Sequence, residues 1–161
     1  MLRSKLPPPK LLALITSLFL LSVAGRSAFG HGGEDFSAGE PGNPKKPARM
    51  IVVTMTDSDG KMAFIPDRIE VRKNERIKFI LKNNGALKHE FVLASIKENA
   101  EHAELMKKFP EMEHADPNAK TIEPKQSVEL LWQFTKPGEF QYACLIPGHI
   151  EAGMQGTVIV R

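Results

Sequence analysis

From residue 50 to residue 160 the apolar positions fall in short runs, several of them alternating, separated by turn residues. Residues 50–55 (MIVVTM) are a β-branched run that ends on the turn-like 57–60 (DSDG). Two short runs follow, 62–65 and 68–72, parted by Pro66 and Asp67. Residues 75–81 (ERIKFIL) start with the polar–apolar alternation of a half-buried strand. Asn83, Asn84 and Gly85 then turn the chain, so His89 stands at the start of the next run, 89–93, beside a loop. Residues 127–134, 139–144 and 156–160 complete the set, with Lys136, Pro137 and Gly138 turning the chain between the first two. Only 95–109 reads as helix: Ile96, Leu105, Phe109 and the alanines between them can form an apolar stripe, and Pro110 stops it. An irregular stretch, 111–118, leads on to 121–124. The pattern predicts an all-β fold, a Greek-key sandwich of seven or eight strands, with a helical insertion at about 95–118.

The first 48 residues do not follow that pattern. Arg3, Lys5 and Lys10 precede an almost wholly apolar run, 11–24, and Ala28-Phe29-Gly30 offers a small-x-small cleavage site before His31. That is the layout of a secretory signal peptide over residues 1–30. The apolar run is shorter than the roughly 20 residues a membrane-spanning helix needs, so no stable span is expected once it is removed. Residues 31–48 carry three prolines with glycines and acidic groups and read as a flexible or extended leader. The domain proper is expected over 49–161.

Export changes the charge. The four cations within residues 1–30 have no acidic counterpart there, so the formal +3 of the 161-residue chain becomes −1 after cleavage. The basic balance therefore belongs to the leader, and nothing points to nucleic acid. The single cysteine cannot close an intramolecular disulfide. A free thiol in an oxidising compartment is a liability unless something occupies it.

The occupant is indicated by the spacing around that cysteine. Cys144, His149 and Met154 follow one another as C-x4-H-x4-M on a short loop between two strand-like runs. Thiolate, imidazole and a weak thioether are the donors of a mononuclear type 1 copper site, which needs one further histidine. A lone Cys in an apolar strand is usually a small buried hydrophobe; the added His and Met at this spacing favour the metal. Zinc is the alternative ion, and a Met ligand disfavours it.

Residues 143–149 (ACLIPGH) with Gly153 and Met154 resemble the copper loop of the cupredoxins, close in spacing to the azurin and auracyanin type. The upstream pieces 64–66, 69–71, 83–85, His89 and 134–142 match as well, so the resemblance spans about residues 50–161. It implies that His89, Cys144 and His149 are equatorial ligands of one copper ion and Met154 the axial one. It also implies kinship with periplasmic cupredoxins of copper tolerance, some of which carry green sites. The chain departs from the family at Glu90, where azurins and plastocyanins commonly have an Asn that braces the Cys loop. Glu90 either alters that bracing or points to solvent.

The helical insertion adds His102 and Met106, at i and i+4, with Met112 and His114 just beyond. These, together with His31 as the first residue after cleavage, are candidates for an auxiliary copper site, against the plain reading of one core methionine and surface histidines. The expected function is one-electron transfer by Cu(I)/Cu(II) cycling in the periplasm, with a contribution to copper tolerance. Sequestration or delivery of copper through the auxiliary site is the alternative. Redox partner proteins are expected to dock near His149, flanked by Leu145, Ile146, Pro147 and Ile150 in an apolar patch, with the protein a monomer. No enzymatic activity is expected, because five histidines cannot supply a second catalytic copper centre beside the first, and a dinuclear centre needs a second Cys.

Overall fold

Along residues 76–83 the alternation becomes structure: Ile77, Phe79 and Leu81 are fully buried, and the residues between them are half-exposed. The computed structural model describes residues 35–110 and 116–161, and among them ten strands form two five-stranded sheets. One sheet contains β1 (Glu40–Pro41), β2 (Arg49–Ser58), β3 (Lys61–Ile65), β5 (Arg76–Asn83) and β8 (Ser127–Gln133), in the order β1-β8-β5-β2-β3. The other contains β4 (Arg68–Val71), β6 (His89–Ala94), β7 (Ala119–Ile122), β9 (Gly138–Ala143) and β10 (Gln155–Val160), in the order β4-β10-β9-β6-β7. The pairs β2·β5 and β4·β10 are parallel and the others antiparallel.

The inner faces meet in one apolar core. Phe79 of the first sheet lies 5.4 Å from Phe91 of the second, and Phe91 stacks on Tyr142 at 5.2 Å. Each such fully buried aromatic contributes about 1.5–3 kcal/mol over an exposed one. The fold is the expected β-sandwich with one helix. Two short strands lie outside the eight runs read from the sequence. In β7 only Ala119 and Ile122 are buried, too few positions to show a period. The other, β1, is two residues long.

β1 decides between the two readings of the leader, in favour of an extended segment. From Phe36 to Gly42 it is not a flexible tether but part of the sandwich. Phe36 meets Trp132 edge-on at 5.4 Å, Ala38 is fully buried, and Gly42 donates its amide to Leu131. Pro41 is tolerated because β1 is an edge strand, where a missing N–H costs no ladder bond. Residues 1–30 and His31 lie outside the described residues.

The helix α1 (Ile96–Lys108) starts where expected, on a capping box in which Ser95 and Glu98 satisfy each other's backbone amides. Its buried face differs from the predicted stripe. Ile96, Leu105 and Phe109 are about half exposed, whereas Asn99 and Met106 are buried and Ala103 packs beside them. Asn99 reaches the carbonyls of Val92 and Gln141 on β6 and β9 through its side-chain amide. A polar residue therefore anchors the helix, which apolar periodicity cannot show. Among the described residues no helix is long and apolar enough to cross a membrane.

Candidate metal centre

His89 is the first residue of β6 and is fully buried. Asn83 shapes the loop that delivers it. Its side-chain amide donates to the carbonyls of Leu87 (2.7 Å) and Ile122 (3.0 Å), and its carbonyl accepts from Gly85 at 2.9 Å. Asp57, at the far end of β2, accepts from the amides of Ala86 and Leu87 and lies 3.0 Å from His89 Nε2. Gly85 leaves room for that carboxylate, since a Cβ would fall 2.3 Å from an Asp57 oxygen and force it to shift.

Cys144 directly follows β9 and is fully buried, and β10 begins directly after Met154. The loop between them is closed by its own backbone. Cys144 donates to the Met154 carbonyl, Met154 to His149, Gly153 to Ile150 and Ala152 to Gly148. From outside, the Met62 amide of β3 binds the Ala152 carbonyl at 3.0 Å. Gly153 sits at φ +106°, a conformation that favours glycine, and a Cβ there would meet the Met62 carbonyl at 2.9 Å. Met154, fully buried, is thereby tied to both other loop ligands.

The donors converge. His149 Nδ1 lies 3.2 Å from Cys144 Sγ and 3.3 Å from His89 Nδ1. These three residues are the one group of three or more His, Cys, Asp or Glu donors among the described residues, with ligand atoms all within 4.8 Å of one another. Burial holds both imidazoles below the ordinary histidine value, against the opposing charge of Asp57. Burial likewise pushes the Cys144 thiol up to about 12, and the Glu90 charge adds to it. Burial thus favours the neutral rings, and their Nδ1 atoms face each other at 3.3 Å. Such a cluster of two imidazole nitrogens, a sulfur and a buried thioether fits a soft cation, and copper binding must displace the thiol proton.

Glu90 does not point to solvent. It is 6 % exposed and, by strand alternation, lies on the face of β6 opposite His89. Its backbone amide donates to Cys144 Sγ at 3.2 Å. At this position the main chain, not the side chain, reaches the Cys loop, while Asn83 and Asp57 brace the loop that carries His89. Asp57 was missed as a site residue because the sequence shows it only as part of a turn. His149 is more covered than expected, at 9 % exposed, and Leu145 is core. Ile146 and Ile150 are half-buried and Pro147 is exposed.

Of the auxiliary candidates, His102 and Met106 lie among the described residues. Met106 is buried in a small apolar cluster with Val92, Ala119, Ala143 and Leu145. His102, half-buried, lines a separate cavity of about 250 Å³ with Glu98, Asn99 and Asp116. Met112, His114 and His31 lie outside the described residues.

Residues 51–161 match the family of copper-binding proteins that includes plastocyanin and azurin. The copper-resistant cuproprotein CopI of Rubrivivax gelatinosus is 38 % identical, over 99 % of this chain and all of its own length. CopI of Pseudomonas aeruginosa is 34 % identical over 92 % of this chain and 96 % of its own. Reduced auracyanin from Roseiflexus castenholzii superposes with a TM-score of 0.59 at 21 % identity, over 72 % of this chain and 99 % of that one, a likeness of fold. With His89, Cys144, His149 and Met154 gathered at one end of such a sandwich, the chain belongs to the plastocyanin/azurin family of copper-binding proteins, together with the CopI cuproproteins.

Proposed function

We propose that this protein is an exported, periplasmic, monomeric electron carrier that contributes to copper tolerance and has no catalytic activity of its own. The observation behind the proposal is the closure of the 144–154 loop on itself and on β3, with His89 held separately by Asp57 of β2. Copper held by such donors supplies a one-electron couple. Ligands fixed by backbone bonds rearrange little between oxidation states, which favours fast exchange over bond making. The relatives' description as copper-resistant supports the tolerance role. Partner proteins dock over Ile146, Pro147 and Ile150, beside a cleft of about 300 Å³ between the loop and α1.

The test is the full chain loaded with copper. The expected result is one tightly held ion, a thiolate-to-copper absorption band that Cys144→Ser abolishes, and reversible oxidation and reduction by small redox reagents. Binding of several ions, with redox cycling slow or irreversible, would instead favour sequestration as the role. Cell fractionation and growth of a deletion strain on copper test the compartment and the tolerance role.

A further inference from the structure

We propose that Asp57 is a positioning residue for the copper site: its carboxylate, reaching across from the other sheet, fixes the His89 ring with Nδ1 toward the metal and lowers the reduction potential. Asp57 Oδ2 lies 3.0 Å from His89 Nε2, with the Asp57 side chain 6 % exposed and the imidazole fully buried. A carboxylate there only accepts, so Nε2 is the ring nitrogen that carries hydrogen and Nδ1 keeps its lone pair. It is Nδ1 that faces His149 and the other donors.

The carboxylate itself cannot wander. It takes the Ala86 amide at 2.8 Å and the Leu87 amide at 2.7 Å, and Gly85 packs against it where any side chain would collide. Two backbone amides thus hold one anion, and the anion holds one ring. A carboxylate behind an imidazole makes the ring a stronger donor and places negative charge near the ion. Cu(II) gains more from both effects than Cu(I), so the pair favours the oxidised state.

The test is Asp57→Asn in the full chain, loaded with copper. Removing the anion is expected to weaken Cu(II) binding about tenfold more than Cu(I) binding. For a one-electron couple that shift equals a rise of about 59 mV in reduction potential, accompanied by a change in the copper EPR spectrum. A folded Asn variant with unchanged potential and unchanged EPR overturns the proposal and leaves Asp57 as a loop tether only. Should the variant not fold, nitrogen NMR of the unaltered metal-free chain decides. Hydrogen on His89 Nε2 with Nδ1 bare is expected, and the opposite tautomer overturns it. The proposal rests on copper occupying the site, not on electron transfer to any partner. A null result at Asp57 therefore leaves the carrier role standing, and slow redox cycling leaves Asp57 standing.

Discussion

The backbone amide of Glu90 donates to Cys144 Sγ at 3.2 Å, so the residue after one copper ligand steadies another. Because the donor is main chain, the bond does not depend on the side chain at 90. Glu90→Gln is therefore expected to keep the thiolate-to-copper band at its wild-type position and to change copper affinity by less than about tenfold, the lower edge of what loss of a true outer-shell partner costs. Visible absorption and a competition titration check this. A displaced band would mean that the buried carboxylate, rather than the amide, shapes the site.

Gly85→Ala tests the contact behind His89. The new Cβ would meet both oxygens and the carboxyl carbon of Asp57 within 2.7 Å, and Asp57 is pinned by three donors. The carboxylate must swing away, releasing the loop and the ring together. Thermal unfolding of the metal-free protein is expected to show a loss of about 1–3 kcal/mol, with weaker copper binding. Unchanged stability would show that the loop yields without strain.

The alternating runs marked eight of the ten strands, and C-x4-H-x4-M marked three ligands because all three sit on one short loop. His89 could be placed beside that loop by the resemblance alone, since it lies 55 positions before Cys144 (144 − 89). Asp57 was hidden for the same reason: its link to His89 crosses 32 residues and two sheets. The packed leader escaped notice because prolines and glycines report backbone preference, not what a nearby Phe36 or Ala38 can reach. The buried face of α1 escaped because Asn99 is held by hydrogen bonds rather than by hydrophobicity.

Phe36→Ala probes that leader. Phe36 is half-buried and meets Trp132 edge-on, and the side chain of Trp132 is among the largest in the core. Losing part of that burial and the ring pair is expected to cost about 1–3 kcal/mol, read as a lower unfolding midpoint, with the copper absorption unchanged. A flexible tether would give no change in stability.

Met106 separates a packing role from a metal role. It is 1 % exposed beneath α1, against Val92, Ala119, Ala143 and Leu145. Met106→Leu conserves volume and is expected to cost less than about 1.5 kcal/mol, whereas Met106→Ala costs about 2–5 kcal/mol by leaving a cavity. Both variants should bind the same number of copper ions as the wild type. A lost copper equivalent in the Leu variant would show the thioether to be a ligand.

The far end of the sandwich carries a pH dependence of its own. Arg49 reaches from the start of β2 to grip both oxygens of Glu75, at 2.7 and 3.3 Å, and the Arg72 amide adds a bond at 2.8 Å. The Arg49 hydrogen bond is the main reason the Glu75 carboxyl is held below its ordinary value, against a smaller opposing effect of burial. A depressed folded value means that the charged form is favoured by folding. Its contribution is therefore complete above the unfolded carboxylate pKa, near 4.3, and is lost as pH falls through the lower folded value. With Arg49 about half exposed, solvent screens the pair to about 0.5–1 kcal/mol. Glu75→Gln is expected to be less stable than wild type by that amount at pH 7, in denaturant melts of the metal-free chain. The gap should start to narrow as pH falls below about 4.3 and keep narrowing as pH drops through the lower folded value, and a gap that stays constant throughout would assign the effect to packing instead of charge.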